Sequence, residues 1–137
     1  EPTSTRRPTG PAARWERELV RLDKIRAQAF SKPDVGLLSE VYAPDATDLL
    51  AKDRKEVDIC VRSGCRLQGL RYEIRDLDVV RSDADRTVLR VVDQRQAYTV
   101  VTAGGDEVPR PAGPVETRRI TLTKHGGAWY IAAIEAD

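Results

Sequence analysis

Methionine and asparagine are absent from this sequence, histidine occurs once and cysteine twice. Two cysteines and one histidine cannot complete the four-ligand shell of a structural zinc site. Aromatics make up only 5% of the residues, with a single phenylalanine. Charge of either sign is not in excess: Lys plus Arg is 23, Asp plus Glu is 22, and the formal net charge is +1. That balance, without basic patches interleaved with aromatics, argues against a nucleic-acid or anionic-membrane surface. The longest uninterrupted apolar run is 128–134, far short of the ~20 residues that span a bilayer. No signal-peptide core is visible, nor a glycine-rich phosphate loop, nor a Ser-His-Asp layout. No cofactor and no metal are expected. The missing initiator is read as the mark of a processed product or a trimmed piece.

What is present suits one domain. The chain has 137 residues, 40% hydrophobic and 33% charged, a globular mixture long enough to bury a core. Residues 1–12 stand apart. They are rich in proline, threonine and arginine, the composition of a flexible tether. A tether there suggests that a signal peptide, a lipid anchor or a membrane helix lay upstream. Residues 13–137 read as the single folded domain.

The first half of that domain has helical periodicity. Trp15, Leu19, Leu22, Ile25 and Ala29 recur on one side of a helix from Ala13 to about Ser31, with Asp23 and Arg26 among the charged residues opposite. Pro33 stops it. Asp34 caps a short second helix carrying Leu37, Leu38 and Val41. A third starts near Thr47, with Leu50, Val57 and Val61 on its stripe. The second half reads as four antiparallel strands in a meander, marked by turns at "SDAD", Gly104-Gly105 and Gly126-Gly127. In the first strand Leu70, Tyr72 and Ile74 share one parity while Leu77 and Val79 share the other. A bulge near Arg75-Asp76 is therefore expected. The fold class is α+β: three N-terminal helices packed on a curved, mainly antiparallel four-stranded meander.

The first-helix pattern "W…L..L…A", the segment "LLSEVYAPDA" and the ending "RRITLTKHGGAWYIAAI" resemble the cystatin-like cone fold of nuclear transport factor two and the SnoaL-like polyketide cyclases. They resemble in particular exported actinobacterial members without assigned activity. The likeness runs over roughly residues 13–136. It implies a conical cavity between helices and sheet, and it allows a homodimer. Some members of that superfamily are isomerases, cyclases, dehydratases or epoxide hydrolases of apolar molecules, whereas others only bind or dock, and fold alone does not choose.

Cys60 and Cys65 enclose four residues, not the two of a thioredoxin-like redox pair. With Gly64 as the left-handed residue ending the third helix, Cys60 and Cys65 occupy the two positions that touch in a Schellman motif. A disulfide is expected there, and with it an extracytoplasmic location, secreted or membrane-anchored. Two reduced thiols in a cytosolic protein are the alternative. For chemistry, the densest polar cluster is Asp93, Arg95 and Tyr98, with Arg119 on the next strand and Tyr42 and Tyr72 as further cavity residues. These six are the candidate ligand-binding residues. Asp93 is expected to pair with Arg95 or Arg119 and to serve structure. The expected function is a non-catalytic binding or docking domain for a protein partner or a small apolar ligand. The alternative is an isomerase, cyclase or dehydratase with Asp93 as base, assisted by Tyr98 or Tyr42. His125, in "KHGGA", reads as a turn residue, and Trp15 and Trp129 read as core.

Overall fold

The computed structural model describes residues 10–137. Most of the expected tether lies outside the described residues. Helix α1 spans Pro11–Ser31, with Pro11 in its first turn, where a missing N–H costs nothing. It buries Trp15, Leu19, Leu22, Ala29 and Phe30. The second expected helix is a single 3-10 segment, Val35–Glu40, opened by the Asp34 carboxylate accepting the Gly36 N–H at 2.9 Å. Helix α2 spans Thr47–Ser63. Its buried stripe is Asp53, Val57 and Cys60, whereas Val61 is 54% exposed. The stripe inferred from Leu50, Val57 and Val61 is therefore rotated, because an aspartate occupies one of the inward positions.

Gly64 ends α2 with φ +79°, and both its N–H and that of Cys65 bond the Cys60 carbonyl, at 2.8 and 3.1 Å. This Schellman-type ending brings the Cα atoms of Cys60 and Cys65 to 4.4 Å, and the two are joined in a disulfide.

Among the described residues the strands number seven rather than four. They are β1 (Arg66–Gln68), β2 (Tyr72–Ser82), β3 (Arg86–Arg95), β4 (Tyr98–Val101), β5 (Glu107–Arg110), β6 (Val115–His125) and β7 (Ala128–Ala136). They form two antiparallel sheets, ordered β2-β3-β6-β7 and β1-β4-β5. Two ribbons expected to be continuous break at the same level. One breaks at Gly69, whose φ is +81°, and the other at Gln96-Ala97, where Gln96 N–H bonds the Arg71 carbonyl at 2.9 Å. Strands that bend together in this way pass from one sheet to the next. Nothing in "DQRQAYT" has turn chemistry, so the second break leaves no mark on the sequence.

The expected bulge is there. Ile74 pairs with Asp93 and Asp76 with Val92, which leaves Arg75 as the extra residue. A second shift lies between Val79 and Arg81, and a third where Thr121 and Leu122 pair with Ala133 and Ile131. Such bulges bend the large sheet. Helix α1 lies against its inner face, and α2 packs on α1 and on the 3-10 turn, giving an α+β arrangement of helices over a bent antiparallel sheet. Trp15 and Trp129 meet edge to face at 4.7 Å between ring centres, and both are buried. The segment after the 3-10 turn bridges to Ile131 on the edge strand β7.

Candidate functional site

On β3, Leu89, Val91 and Asp93 are buried, so odd positions face the helices. On β6 the inward parity is that of Ile120, which includes Arg118. Asp93 lies opposite Glu116, and Arg118 is its diagonal neighbour on the same face. The result is a two-point ion pair. Arg118 Nε donates to Asp93 Oδ1 at 3.1 Å and Nη2 to Oδ2 at 2.5 Å. Asp93 is only 2% exposed. The Arg118 guanidinium also lies over the Tyr72 ring, 4.6 Å from its centre. The expected partners of Asp93 are thus corrected. Arg119 has the opposite parity and pairs with Asp137 at 3.2 Å, outside the cavity. Arg95 shares the face of Asp93 but turns away, its Nη2 donating to the Pro111 carbonyl at 2.9 Å.

A second ion pair crosses between the helices. Arg26 of α1 donates twice to Asp53 of α2, at 2.7 and 3.2 Å, and the Tyr42 hydroxyl donates to the same carboxylate at 2.5 Å. Asp53 is 3% exposed, so these donors replace its lost hydration. Burial opposes the Arg26 charge, but the hydrogen bond and charge of Asp53 outweigh it and raise the Arg26 pKa. Burial, with the charge of Asp53, pushes the Tyr42 hydroxyl up as well, so Tyr42 stays a neutral donor.

Asp23 of α1 is the third acid. Its Oδ2 accepts the backbone N–H of Tyr72 at 3.0 Å, and its Oδ1 bonds no group among the described residues. Burial raises its pKa, while the Tyr72 N–H and the charges of Arg26 and Arg118 oppose the rise. Burial also raises the Asp93 pKa, against the hydrogen bond and charge of Arg118.

These groups border one cavity of about 390 Å³ between α1, α2 and the bent sheet. Its apolar wall includes Leu67, Leu70, Ile74, Ile120 and Ile134, and Lys52 and Glu56 stand exposed on α2. Of the six residues singled out in the sequence, Tyr42, Tyr72, Asp93, Arg95 and Tyr98 line the cavity, and Arg119 does not. His125 is exposed in the β6–β7 turn region, its ring nitrogen 2.9 Å from the Thr123 hydroxyl.

Sequence reasoning missed Asp23, Arg26, Asp53 and Arg118. Two signals pointed to three of them. Arg118 shares the parity of Ile120, and Arg119 does not. Asp23 and Arg26 each lie four residues after an apolar stripe position, Leu19 and Leu22, so they share the inward side of α1. Their charge had placed them on the outer face.

No family model and no curated protein matches the chain. Solved structures do. The intermembrane-space region of the chloroplast protein ARC6 is 16% identical, covers 95% of this chain and 100% of its own, and has a TM-score of 0.64. Aln2 from a Streptomyces species is 17% identical over 94% of this chain and 95% of its own, with a TM-score of 0.55. A putative calcium/calmodulin-dependent protein kinase II association domain from Xanthomonas campestris is 15% identical over 88% and 84%, with a TM-score of 0.51. At these identities the likeness is one of fold.

Proposed function

We propose that this chain is an extracytoplasmic binding domain whose cone holds a small molecule of mixed polarity. The observation that carries the reading is the cavity itself. A docking module has no need of a hollow cone, yet this one holds about 390 Å³ of space bordered by apolar side chains and by two ion pairs. That size lies within the ordinary range of small-molecule sites. Because Asp93 and Asp53 are each held by an arginine, the polar lining is rigid before a ligand arrives. The extracytoplasmic placement is supported by the Cys60–Cys65 disulfide, since such bonds persist in oxidising compartments. No described helix is long and apolar enough to cross a membrane. An upstream anchor and membership among the SnoaL-like proteins of actinobacteria belong to the same proposal.

The test is titration of ¹⁵N-labelled protein with the neutral amphiphile 4-phenylbutan-1-ol. Saturable shifts are expected at Tyr42, Tyr72 and Tyr98, and Ile74→Trp, which fills the cavity, is expected to abolish them while amide dispersion is retained. Shifts confined to the outer face of the sheet, or no saturable shift, would refute the reading.

Asp23 favours a second reading, a proton-transferring isomerase, cyclase or dehydratase. A base needs an accessible lone pair and a pKa tuned upward. Asp93 lacks the first, because Arg118 occupies both its oxygens, and the Tyr42 hydroxyl is committed to Asp53. Asp23 has one oxygen fixed and the other uncommitted. Deuterium wash-in at the α-carbon of 2-tetralone, present in wild type and lost in Asp23→Asn, would promote this reading over the first.

A further inference from the structure

Three arginines line the cavity, and they are not equivalent. Arg26 is neutralised by Asp53 and Arg118 by Asp93, each through two hydrogen bonds. Arg95 has no carboxylate partner among the described residues. Its Nη2 meets only the Pro111 carbonyl, and its guanidinium lies 5.2 Å from the centre of the Tyr98 ring. Its Nε is buried and has no hydrogen-bond partner. Its Nη1 donates to no atom among the described residues.

The fold holds this cation in place. Arg95 ends β3 opposite Tyr72, on the face shared by Asp93. The Gly113 N–H bonds the Arg95 carbonyl at 3.0 Å, which draws the loop after β5 over the side chain. A Cβ at residue 113 would stand 3.6 Å from Cζ, in ordinary contact, so the loop backbone already lies against the guanidinium. The planar group is therefore pressed between the loop and the Tyr98 ring. A guanidinium fixed on two sides, without a counter-ion and with donors to spare, presents a ready-made fork to a planar anion. The Nε of Arg95 has no accessible surface, so the donors left for an anion are those of Nη1 and the second N–H of Nη2. Lys52, the other lining cation without an ion pair among the described residues, is exposed on a flexible stem and offers no fixed geometry.

We infer that the ligand of this cavity carries a carboxylate, and that Arg95 is the residue that anchors it. The inference rests on the cavity reading above and narrows it to amphiphilic carboxylates, the acid end at Arg95 beside Tyr98 and Tyr72 and the apolar body against Ile74 and Leu70.

The experiment compares 4-phenylbutyrate with its neutral twin 4-phenylbutan-1-ol at pH 7 by titration calorimetry and NMR. Wild type is expected to bind the carboxylate at least about ten-fold more tightly than the alcohol, an increment typical of a charge-assisted pair. Arg95→Gln is expected to erase that preference, so that the two probes bind within about two-fold of each other, with amide dispersion as in wild type showing that the fold is intact. Arg95→Lys, which keeps the charge but not the fork, is expected to retain part of it. Equal affinity for the two probes in wild type would overturn the assignment while leaving the cavity reading in place. A preference that survives in Arg95→Gln would also overturn it and move the anion site elsewhere. If neither probe binds, both readings fall.

Discussion

Replacing Arg118 with methionine isolates the cost of the buried carboxylate beneath it. Methionine keeps an unbranched apolar side chain over Tyr72 and removes only the charged fork. Asp93, with a side chain 3% exposed, then has no counter-ion. An ionised carboxylate in that position is too costly to persist, so the group takes up a proton. Holding a proton at pH 7 on a carboxyl whose unfolded pKa is near 3.9 costs about 1.4 kcal/mol per pH unit, which sets a ceiling of about 4 kcal/mol. Burial already penalises the ionised form in wild type, as the raised pKa of Asp93 indicates, and this lowers the increment. We expect Arg118→Met to lose about 2–4 kcal/mol at pH 7 and no more than about 1.5 kcal/mol at pH 5. Asp23 also feels the Arg118 charge, and its loss adds to the same slope. The reverse deletion behaves differently. Asp93→Asn strands a guanidinium that cannot lose its proton, but Arg118 is 18% exposed and borders the cavity, where water can solvate it. Its cost should be about 1–2 kcal/mol at pH 7 and no smaller at pH 5, because the raised native pKa of Asp93 gives wild type a proton uptake that the asparagine lacks. Urea unfolding of the three proteins at both pH values measures this. A loss below about 1 kcal/mol for Arg118→Met at pH 7, or one that is the same at pH 5, would show that the pair does not hold Asp93 ionised.

The disulfide closes a short loop, so Cys60→Ser/Cys65→Ser should lose about 2 kcal/mol. Intact mass should rise by two hydrogens on reduction, and two freely alkylatable thiols in the unreduced native protein would contradict the bridge. For Asp23 the sign follows from its raised native pKa. The native state then binds more protons than the unfolded chain, so the group's contribution declines as pH rises from about 4 through the native pKa. Asp23→Asn cannot ionise and keeps an acceptor for the Tyr72 N–H, so its stability relative to wild type should increase between pH 4 and pH 7, and a decrease would refute the assignment.

Much of this fold was readable in the sequence because periodicity encodes burial. The apolar spacing from Trp15 to Ala29 located α1, and the parity change between Ile74 and Leu77 located the bulge at Arg75. Cys60, Gly64 and Cys65 also carried their geometry locally. A glycine able to take positive φ ends the helix, and the ending itself brings the thiols together. Strand parity likewise placed Tyr72, Asp93 and Arg95 on one face, since alternate side chains of a strand share a side.

What the sequence lacked was the geometry that depends on distant partners. The sheet change at Gln96-Ala97 is imposed by β1 and the Arg71 carbonyl, not by local turn chemistry. The inward turn of Asp23, Arg26 and Asp53 depends on compensation. A charge on an apolar stripe reads as an exception until the opposite charge from another element is seen beside it. Arg26 and Asp53 lie 27 positions apart, and Asp93 and Arg118 lie 25. Only the packing of α1 on α2, and of β3 on β6, brings each pair into one desolvated space where the two charges satisfy each other. That same packing leaves Arg95 without a carboxylate partner among the described residues.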